Sequence, residues 1–221
     1  MKGFKEDENM AERYVYLPAK KSGWIKAVLT EFEWNKGQAA SQKTKNVLAL
    51  HGAFRRRHPE AKILEISSKS YEDAGKKLSA FSLLKYVPEL DKKVPVECVY
   101  QGGKVFEKGG PYKMLYEEKP KDAKRYCGLK NSGTLTNFYF DGKEIPLEPK
   151  NAFYNWLYIN ALLENPELAE EVLKYDAFTD IEFNPNNGVN CQAKAAALFV
   201  GLARDGLLEK CKNYEDFVEL L

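Results

Sequence analysis

Hydrophobic and polar positions alternate along the chain with two different periods. Near the N-terminus, residues 13–17 and 24–34 change between apolar and polar at every second position, which is typical of two strands in a hairpin. Residues 41–57 instead repeat their apolar positions at helical spacing, and Pro59 just beyond them is a stop signal for a helix. The beginning of the chain is therefore expected to form a hairpin followed by a helix.

The rest of the chain divides in the same way into short elements. We expect, in order, a strand over 61–67, a short helix over 71–77, a helix over 95–106, a hairpin of 134–140 and 143–147, helices over 151–163 and from Pro166, an extended segment over 175–183, a loop over 184–188, a helix from Asn190 to about Arg204, and a last short helix capped by Asn213. Asp141-Gly142 is the turn signal of the second hairpin, and Asn165 is expected to cap the helix that starts at Pro166.

These elements follow one another without a repeat or a linker rich in Pro, Gly or Ser. The sequence therefore predicts one compact α+β domain over residues 12–221, mostly helical with small antiparallel strands and hairpins. Residues 1–11 are polar and charged, and we expect them to be a flexible leader.

Composition narrows the possible functions. The 221 residues are 44% hydrophobic and 13% aromatic, enough to build a real core, so wholesale disorder is excluded. A net charge of +2 excludes a protein whose whole surface is basic, as in many nucleic-acid-binding proteins, but it allows local basic patches. No apolar run approaches the roughly 20 residues of a membrane span, and the first ten residues lack an apolar signal core. We therefore expect a cytoplasmic protein with no membrane partner.

Metal and redox chemistry have little support in the sequence. The four cysteines form no C-x-x-C pair, and the chain has two histidines. Neither a zinc site nor a redox pair is suggested, and we expect no metal and no cofactor.

One segment carries most of the candidate chemistry. A helix that begins at Pro95 would present one polar stripe, made of Glu97, Tyr100, Gln101 and Lys104. Its acid and its amine would stand two turns apart, roughly 10 Å along the axis, which is too far for the usual ion pair. That spacing suits two groups that grip one substrate. The alternative is an ordinary surface helix in which the lysine keeps the acid ionised.

Two glycines, Gly102 and Gly103, fall inside this predicted helix. Each costs roughly 1 kcal/mol relative to alanine. Close approach of another backbone or of a ligand would compensate for that cost.

The same segment resembles a known signature. Pro95-Val96-Glu97, Tyr100-Gln101 and Lys104 are similar to the V-E-x-x-Y-Q-x-x-K motif of the NADAR superfamily, YbiA-like N-glycosidases that act on ADP-ribose-type or related N-glycosidic substrates. Residues 78–82 are similar to the F-S-N-F loop of that superfamily, with Ala80 where the usual side-chain amide stands. This part of the resemblance spans about residues 61–205.

Three later positions extend the resemblance. Trp156 is placed like the tryptophan helix of the superfamily, and residues 180–183 stand where it usually has D-x-x-W-G, with Phe183 in place of the indole. Asn190 begins the last large helix, as the N-x-x-G segment does. The whole chain is similar to the branch of NADAR antitoxins encoded beside a DarT-type DNA ADP-ribosyltransferase toxin, whose members remove ADP-ribose from guanine bases in DNA.

The resemblance and the chemistry of the reaction together suggest three catalytic residues. A nitrogen leaves a sugar carbon readily only when it is protonated, so Glu97 is the candidate proton donor and acceptor. Lys104 is the candidate nucleophile, which would attack an opened sugar aldehyde and form a Schiff base. Asp180 could orient ribose hydroxyls or assist proton transfer, and its alternative is a plain turn residue.

The candidate substrate-binding residues are Ser67, Lys69, Phe81, Ser82, Tyr100, Gln101, Tyr112, Trp156, Phe183 and Asn190. Ser67 and Lys69 follow a predicted strand and suit a diphosphate. Trp156 and Phe183 could hold a base between them, although Trp156 also fits a core stripe at helical spacing. Tyr112, after two glycines and a proline, could belong to a lid or to a plain turn.

A DNA substrate would require a surface that binds phosphates. Basic runs that could supply it are residues 55–57, residues 119–130, and Lys43 with Lys45, although such runs are commonly only solvated faces. Expected partners are thus ADP-ribosylated DNA and a DarT-type toxin encoded nearby. Two other functions stay open: an N-glycosidase for a small nucleotide-like substrate of the riboflavin-pathway type, and a non-catalytic module that binds ADP-ribose or the toxin.

Overall fold

The computed structural model describes residues 9–20, 23–37, 39–184 and 190–221. Within them the strands are β1 Met10–Pro18, β2 Ile25–Glu33, β3 Ile63–Glu65, β4 Leu84–Val87, β5 Lys92–Pro95, β6 Lys104–Phe106, β7 Leu135–Phe140, β8 Lys143–Ile145 and β9 Ala177–Thr179. The α-helices are α1 Ala40–Arg55, α2 Asp73–Lys77, α3 Val96–Gly102, α4 Pro120–Arg125, α5 Gly128–Asn131, α6 Ala152–Leu163, α7 Pro166–Val172, α8 Gln192–Arg204 and α9 Tyr214–Val218. Short 3₁₀ segments lie at Pro88–Leu90, Lys113–Glu117 and Leu208–Lys212.

The largest sheet has four strands in the order β2-β1-β9-β3. The predicted N-terminal hairpin is confirmed, since β1 and β2 pair antiparallel from Met10 opposite Glu33 to Pro18 opposite Ile25. Strand β9 pairs antiparallel with β1 but parallel with β3. Because parallel strands end at the same edge of a sheet, the segments that follow β3 and β9 emerge side by side.

The sheet has a hydrophobic core on each face, because side chains along a strand alternate between the two faces. On one face, Tyr16 of β1 belongs to a large cluster with Tyr158 of α6 and Phe199 of α8. On the other face, Val15 belongs to a smaller cluster with Phe54 of α1. Helices α8 and α1 therefore cover opposite faces of the same four strands.

The α+β class is confirmed, with about 43% helix and 22% strand in one compact domain. No helix in the described part of the chain is both long and apolar enough to cross a bilayer. Residues 1–8 of the predicted leader lie outside the described residues, and β1 already begins at Met10. The loop predicted over 184–188 also lies outside them, apart from Asn184.

The predicted helix over residues 95–106 is wrong in its second half. Helix α3 ends at Gly102, and Lys104 begins strand β6, which pairs with β7. A Cβ atom on Gly102 would lie 2.4 Å from the ring of Tyr116, and one on Gly103 would lie 2.8 Å from the carbonyl oxygen of Tyr139. The two glycines are thus explained by close packing against other parts of the chain, which the helical pattern could not reveal.

Of the three predicted helix caps, that of Asn190 is wrong. The Asn190 amide donates to the hydroxyl of Tyr100 at 2.6 Å instead of capping, and α8 begins at Gln192. Asn165 does occupy the N-cap position of α7, before Pro166, but its side chain makes no capping hydrogen bond and donates to the carbonyl oxygens of Leu84 and Ala161, at 2.8 and 2.6 Å. Asn213 does cap α9, because its side chain accepts from the Asp216 amide at 3.0 Å.

The second hairpin is confirmed, with Asp141 and Gly142 between β7 and β8. Both residues have positive φ, 49° and 78°, as the two central positions of a type I′ turn require. This turn fixes the register of the strand that carries Phe138 into the interior.

Candidate active site

A cavity of about 710 Å³ opens at the edge where β3 and β9 end. Helix α3, the start of β6, one residue of α4, strand β7 and the segment before α6 complete its wall. Nine of the thirteen predicted site residues line it: Ser67, Phe81, Glu97, Tyr100, Gln101, Lys104, Asp180, Phe183 and Asn190. The structure therefore brings most of the candidates together, although they come from five separate parts of the sequence.

Glu97 lies in the first turn of α3 and is 6% exposed. Its Oε1 accepts a hydrogen bond from the Gln101 amide at 2.9 Å and lies 3.9 Å from the Nζ of Lys124. The Gln101 contact is the i,i+4 neighbour relation that the helical stripe predicted. The carboxylate is thus held in place from its own helix and from α4.

Lys104 reaches the same cavity from the start of β6, immediately after the helix ends. Its Nζ lies 4.8 Å from the ring centroid of Tyr100. Burial lowers the pKa of Lys104 to about 8; the Glu97 charge opposes that shift, and the Lys124 charge adds to it. At such a pKa about one amine in ten is neutral at pH 7, far more than for a solvated lysine.

Glu97 and Lys104 share the cavity, yet among the described residues they form no ion pair within 4.0 Å. The alternative in which this lysine directly pairs the acid therefore has no support in the geometry. Each group remains available to a molecule bound between them.

An aromatic wall stands beside these two groups. The Tyr100 ring lies 5.4 Å from that of Phe138 and 5.2 Å from that of Tyr154, and all three side chains are buried. Burial raises the pKa of Tyr100 to about 12, so its hydroxyl stays neutral and accepts the hydrogen bond from Asn190. The wall offers apolar surface to a base or a sugar.

Asp180 also lines the cavity, directly after β9. Its carboxyl accepts from the Glu182 amide at 3.1 Å and is hydrogen-bonded by the side chain of Gln192. Burial first, and then the carboxyl of Glu65, raise the pKa of Asp180 to about 8. A carboxyl of this kind can carry a proton near neutral pH.

Glu65 was not predicted as a site residue, yet it holds this edge of the cavity together. The carboxyl is fully buried and accepts from the hydroxyls of Ser67 and Thr179, both at 2.6 Å, and from the Ile181 amide at 2.9 Å. Thr179 in turn hydrogen-bonds the imidazole of His51 at 2.8 Å. Burial raises the pKa of Glu65, while its three donors oppose that shift.

This network changes what Ser67 can offer to a ligand. Its only hydroxyl proton points to Glu65, and its oxygen already accepts from the Lys69 amide at 3.1 Å. Ser67 can therefore accept a further hydrogen bond in the cavity but cannot donate one to a diphosphate. A sugar hydroxyl fits this capacity better than a phosphate does.

Four predicted site residues do not line the cavity: Lys69, Ser82, Tyr112 and Trp156. Ser82 is exposed, and the hydroxyl of Tyr112 hydrogen-bonds that of Ser132. Trp156 lies in a T-shaped contact with Phe140 and with Tyr214, at 5.9 and 5.7 Å, beside a second hollow. Trp156 therefore packs against other aromatic side chains, which is the alternative that its position in a core stripe at helical spacing had left open.

Other cavity residues escaped the sequence analysis. Gln192 accepts from the Ala80 amide at 2.8 Å and bonds Asp180, so it ties the 78–82 loop to the acidic edge. Lys124 was part of a noted basic run, but nothing in the run indicated which member faces the cavity. Asn151, at the start of α6, has φ 70°, an unusual backbone conformation for a residue other than glycine, and the sequence carries no signal for it.

The arrangement combines a buried acid, a partly neutral amine and a second carboxyl with a raised pKa around one cavity. These are the groups needed to protonate a leaving nitrogen and to attack a sugar carbon. In the described ranges no three His, Cys, Asp or Glu side chains cluster as a metal site.

Such a cavity on an α+β domain fits the NADAR superfamily, whose members are generally N-glycosidases. Within that class, the model of the family described as DarT1-associated NADAR antitoxin matches residues 11–221, and the chain belongs to this family. The suspected resemblance is thereby confirmed, and with it an antitoxin role associated with a DarT1 toxin. A comparison with curated proteins found no match.

Proposed function

We propose that the chain is an N-glycosidase that removes ADP-ribose from guanine bases of DNA and so reverses the modification made by a DarT-type toxin. One observation carries the proposal: Glu97 and Lys104, unpaired with each other, line one cavity together with Asp180. Membership in the antitoxin family supplies the biological setting.

Glu97 acts first in the proposed reaction. Its carboxyl donates a proton to the guanine nitrogen as the bond to the sugar carbon breaks, because nitrogen leaves poorly as an anion. The positive charge that develops on the sugar carbon lies near the resulting carboxylate, which stabilises it. The Gln101 amide keeps that carboxylate aimed at the reacting atoms.

Lys104 acts second. The neutral amine adds to the anomeric carbon as the bond to guanine breaks and the guanine nitrogen takes the proton from Glu97. The bond from that carbon to the ring oxygen then breaks, the oxygen takes a proton from Nζ, and a protonated Schiff base joins the opened sugar to Nζ. Water adds to the Schiff base and releases ADP-ribose and the amine, which returns one proton to Glu97. The net reaction consumes one water molecule.

Asp180 and Ser67 complete the site at the edge of the sheet. Both can accept from ribose hydroxyls, and Asp180 in its protonated form can also donate. The aromatic wall of Tyr100, Phe138 and Tyr154 excludes water from the face of the sugar that reacts.

The test is Glu97→Gln, which keeps the side chain's shape and removes its acidic proton. Release of ADP-ribose from an oligonucleotide with one ADP-ribosylated guanine should fall by about 10²- to 10⁴-fold. Glu170→Gln, on the exposed surface of α7, is the matched control and should keep full activity. The thermal midpoint of both variants should stay close to that of the parent protein.

The outcomes separate the proposed function from its two rivals. Undiminished turnover by Glu97→Gln would refute the acid's role. Turnover of free nucleotides with none of modified DNA would favour the small-substrate N-glycosidase. Stoichiometric protection from the toxin without released ADP-ribose would identify a binding module.

A further inference from the structure

The segment over residues 119–130 carries an unusual share of the chain's positive charge. It holds five cations, Lys119, Lys121, Lys124, Arg125 and Lys130, against one carboxylate, that of Asp122. Its net charge is +4, whereas the whole chain is +2, so the remaining residues together are −2. All five cationic residues are exposed. We call these five residues the basic rim.

The basic rim is continuous with the cavity. Lys124 lines the cavity, and its Nζ lies 3.9 Å from Oε1 of Glu97 and 5.5 Å from the ring centroid of Phe81. Helix α4 is fixed there by Ala123, which is fully buried against the core. The cations therefore stand at one side of the cavity mouth, in a fixed relation to the catalytic acid.

Ion pairs do not neutralise the outer cations of the basic rim. Among the described residues, Lys119, Lys121, Arg125 and Lys130 make no ion pair within 4.0 Å, and the one ion pair of Lys124 is with Glu97 in the cavity. By contrast, Lys43 pairs with Glu182 at 3.2 Å. The basic run of residues 55–57 lies at the end of α1 and contributes no side chain to the cavity.

The other charged residues of the cavity lining carry no comparable excess of cations. Glu148, Lys150 and Glu182 also line the cavity, and Glu182 pairs with Lys43 at 3.2 Å. A chain of phosphates that leaves the cavity is therefore attracted toward the basic rim, where five cations stand against one carboxylate.

We infer that the basic rim binds the phosphates of the DNA strand that flanks the modified guanine while that base and its ADP-ribose occupy the cavity. This inference rests on the proposed function, since it names the surface that makes DNA the substrate. Single-stranded DNA or a nucleotide extruded from a duplex can supply the geometry, because the reacting atom must leave the base stack.

The experiment pairs two variants with two substrates. Lys121→Glu with Arg125→Glu reverses the outer part of the basic rim, and Lys26→Glu with Lys210→Glu, exposed residues of β2 and a 3₁₀ segment, makes the same change in charge elsewhere. One substrate is an oligonucleotide with one ADP-ribosylated guanine. The other is ADP-ribosylated guanosine, which has the same modification but none of the phosphodiesters of a DNA strand.

At low salt, the reversal in the basic rim should lower kcat/KM for the oligonucleotide by about 10- to 100-fold and leave guanosine turnover unchanged. The slope of log kcat/KM against log salt concentration should also become less steep by about two, one for each phosphate contact removed. The control variant should leave both substrates and the slope unchanged.

Several results would overturn the inference: no loss with the oligonucleotide, an equal loss with both substrates, or an equal loss in the control variant. Weaker protection from the toxin with both assays unchanged would mean that the basic rim binds a protein instead of DNA.

If the parent protein cleaves neither substrate, the proposed function fails by itself. Anisotropy of a labelled, unmodified single-stranded oligonucleotide then still decides: weaker binding by the rim variant alone supports the surface, and equal binding by all three proteins overturns it.

Discussion

Lys104 and Asp180 line the same cavity, and their ionised forms have opposite signs, yet similar surroundings act on both groups. Each is buried, and each lies near a second group of its own sign, Lys124 for the amine and Glu65 for the carboxyl. The pKa of Lys104 falls to about 8, and that of Asp180 rises to about 8. Burial together with a like charge therefore brings a base and an acid to the same pH range from opposite directions.

The two sides differ in how they are held. The amine side is made of α3, β6 and α4, and its second cation, Lys124, has a side chain that is 60% exposed. On the acidic side Glu65 is fully buried, and it has a hydrogen-bond donor for each of three acceptor positions. The amine side is thus open to a charged strand, while the acidic side is a rigid part of the core.

Loss of the amine should have the largest effect. Lys104→Ala should reduce release of ADP-ribose by at least about 10³-fold, because it removes the proposed nucleophile. Lys104→Arg should not restore the rate, since a guanidinium keeps its proton and cannot form a Schiff base. Treatment with borohydride during turnover should trap the sugar on Lys104, as mass spectrometry of the digested protein would show. High activity in the arginine variant would mean that only the positive charge matters.

Loss of Glu65 should be the next largest effect, and it should appear in stability. Glu65→Ala leaves the hydroxyls of Ser67 and Thr179 and the Ile181 amide without their buried acceptor, so the free energy of unfolding should fall by about 3 kcal/mol. Glu65→Gln keeps an acceptor for two of these donors and can donate to Thr179, so it should lose less than about 1 kcal/mol. Urea denaturation measures both; equal losses in the two variants would contradict the assigned network.

Replacement of Asp180 should change the stability of the folded protein least, and it should raise that stability instead of lowering it. The folded-state pKa, about 8, lies above the unfolded value of about 4, so the folded protein binds more protons between these pH values. Its stability should therefore fall as pH rises from about 4 to about 8. Asp180→Asn should remove this loss and raise Tm by a few degrees at pH 8, with less gain at pH 5.

The same variant should lose activity, because the asparagine cannot exchange a proton. Thermal unfolding monitored from pH 4 to pH 9 gives the comparison with the parent protein. A gain in Tm that does not change with pH would show that Asp180 is not the group that titrates. Stability gained at the expense of activity is the usual mark of a functional position.

The parts of the fold that depend on neighbouring residues could be predicted from the sequence. Asp141-Gly142 determines its hairpin by its own backbone preference, and the capping of α9 by Asn213 needs only the amide of Asp216. In the site, helical spacing placed Glu97 and Gln101 on one stripe, and in α3 the two side chains are hydrogen-bonded.

The parts that depend on distant residues could not. The end of α3 at Gly102 is imposed by Tyr116 and Tyr139, and the amide of Asn190 is drawn to Tyr100 instead of capping α8. Glu65 remained unnoticed because nothing in the strand's sequence shows that it pairs with β9, which brings Thr179 and Ile181 to its carboxyl.

The parallel pairing of β3 with β9 has a consequence for the time at which protection can begin. Its partners are more than a hundred residues apart, so a ribosome must make the chain as far as Ile181, of 221 residues, before Glu65 meets its last donor. Contacts between such remote segments also close slowly. A cell that makes toxin and antitoxin together would therefore have no partly effective early fragment, and its safety would depend on finished molecules kept in reserve.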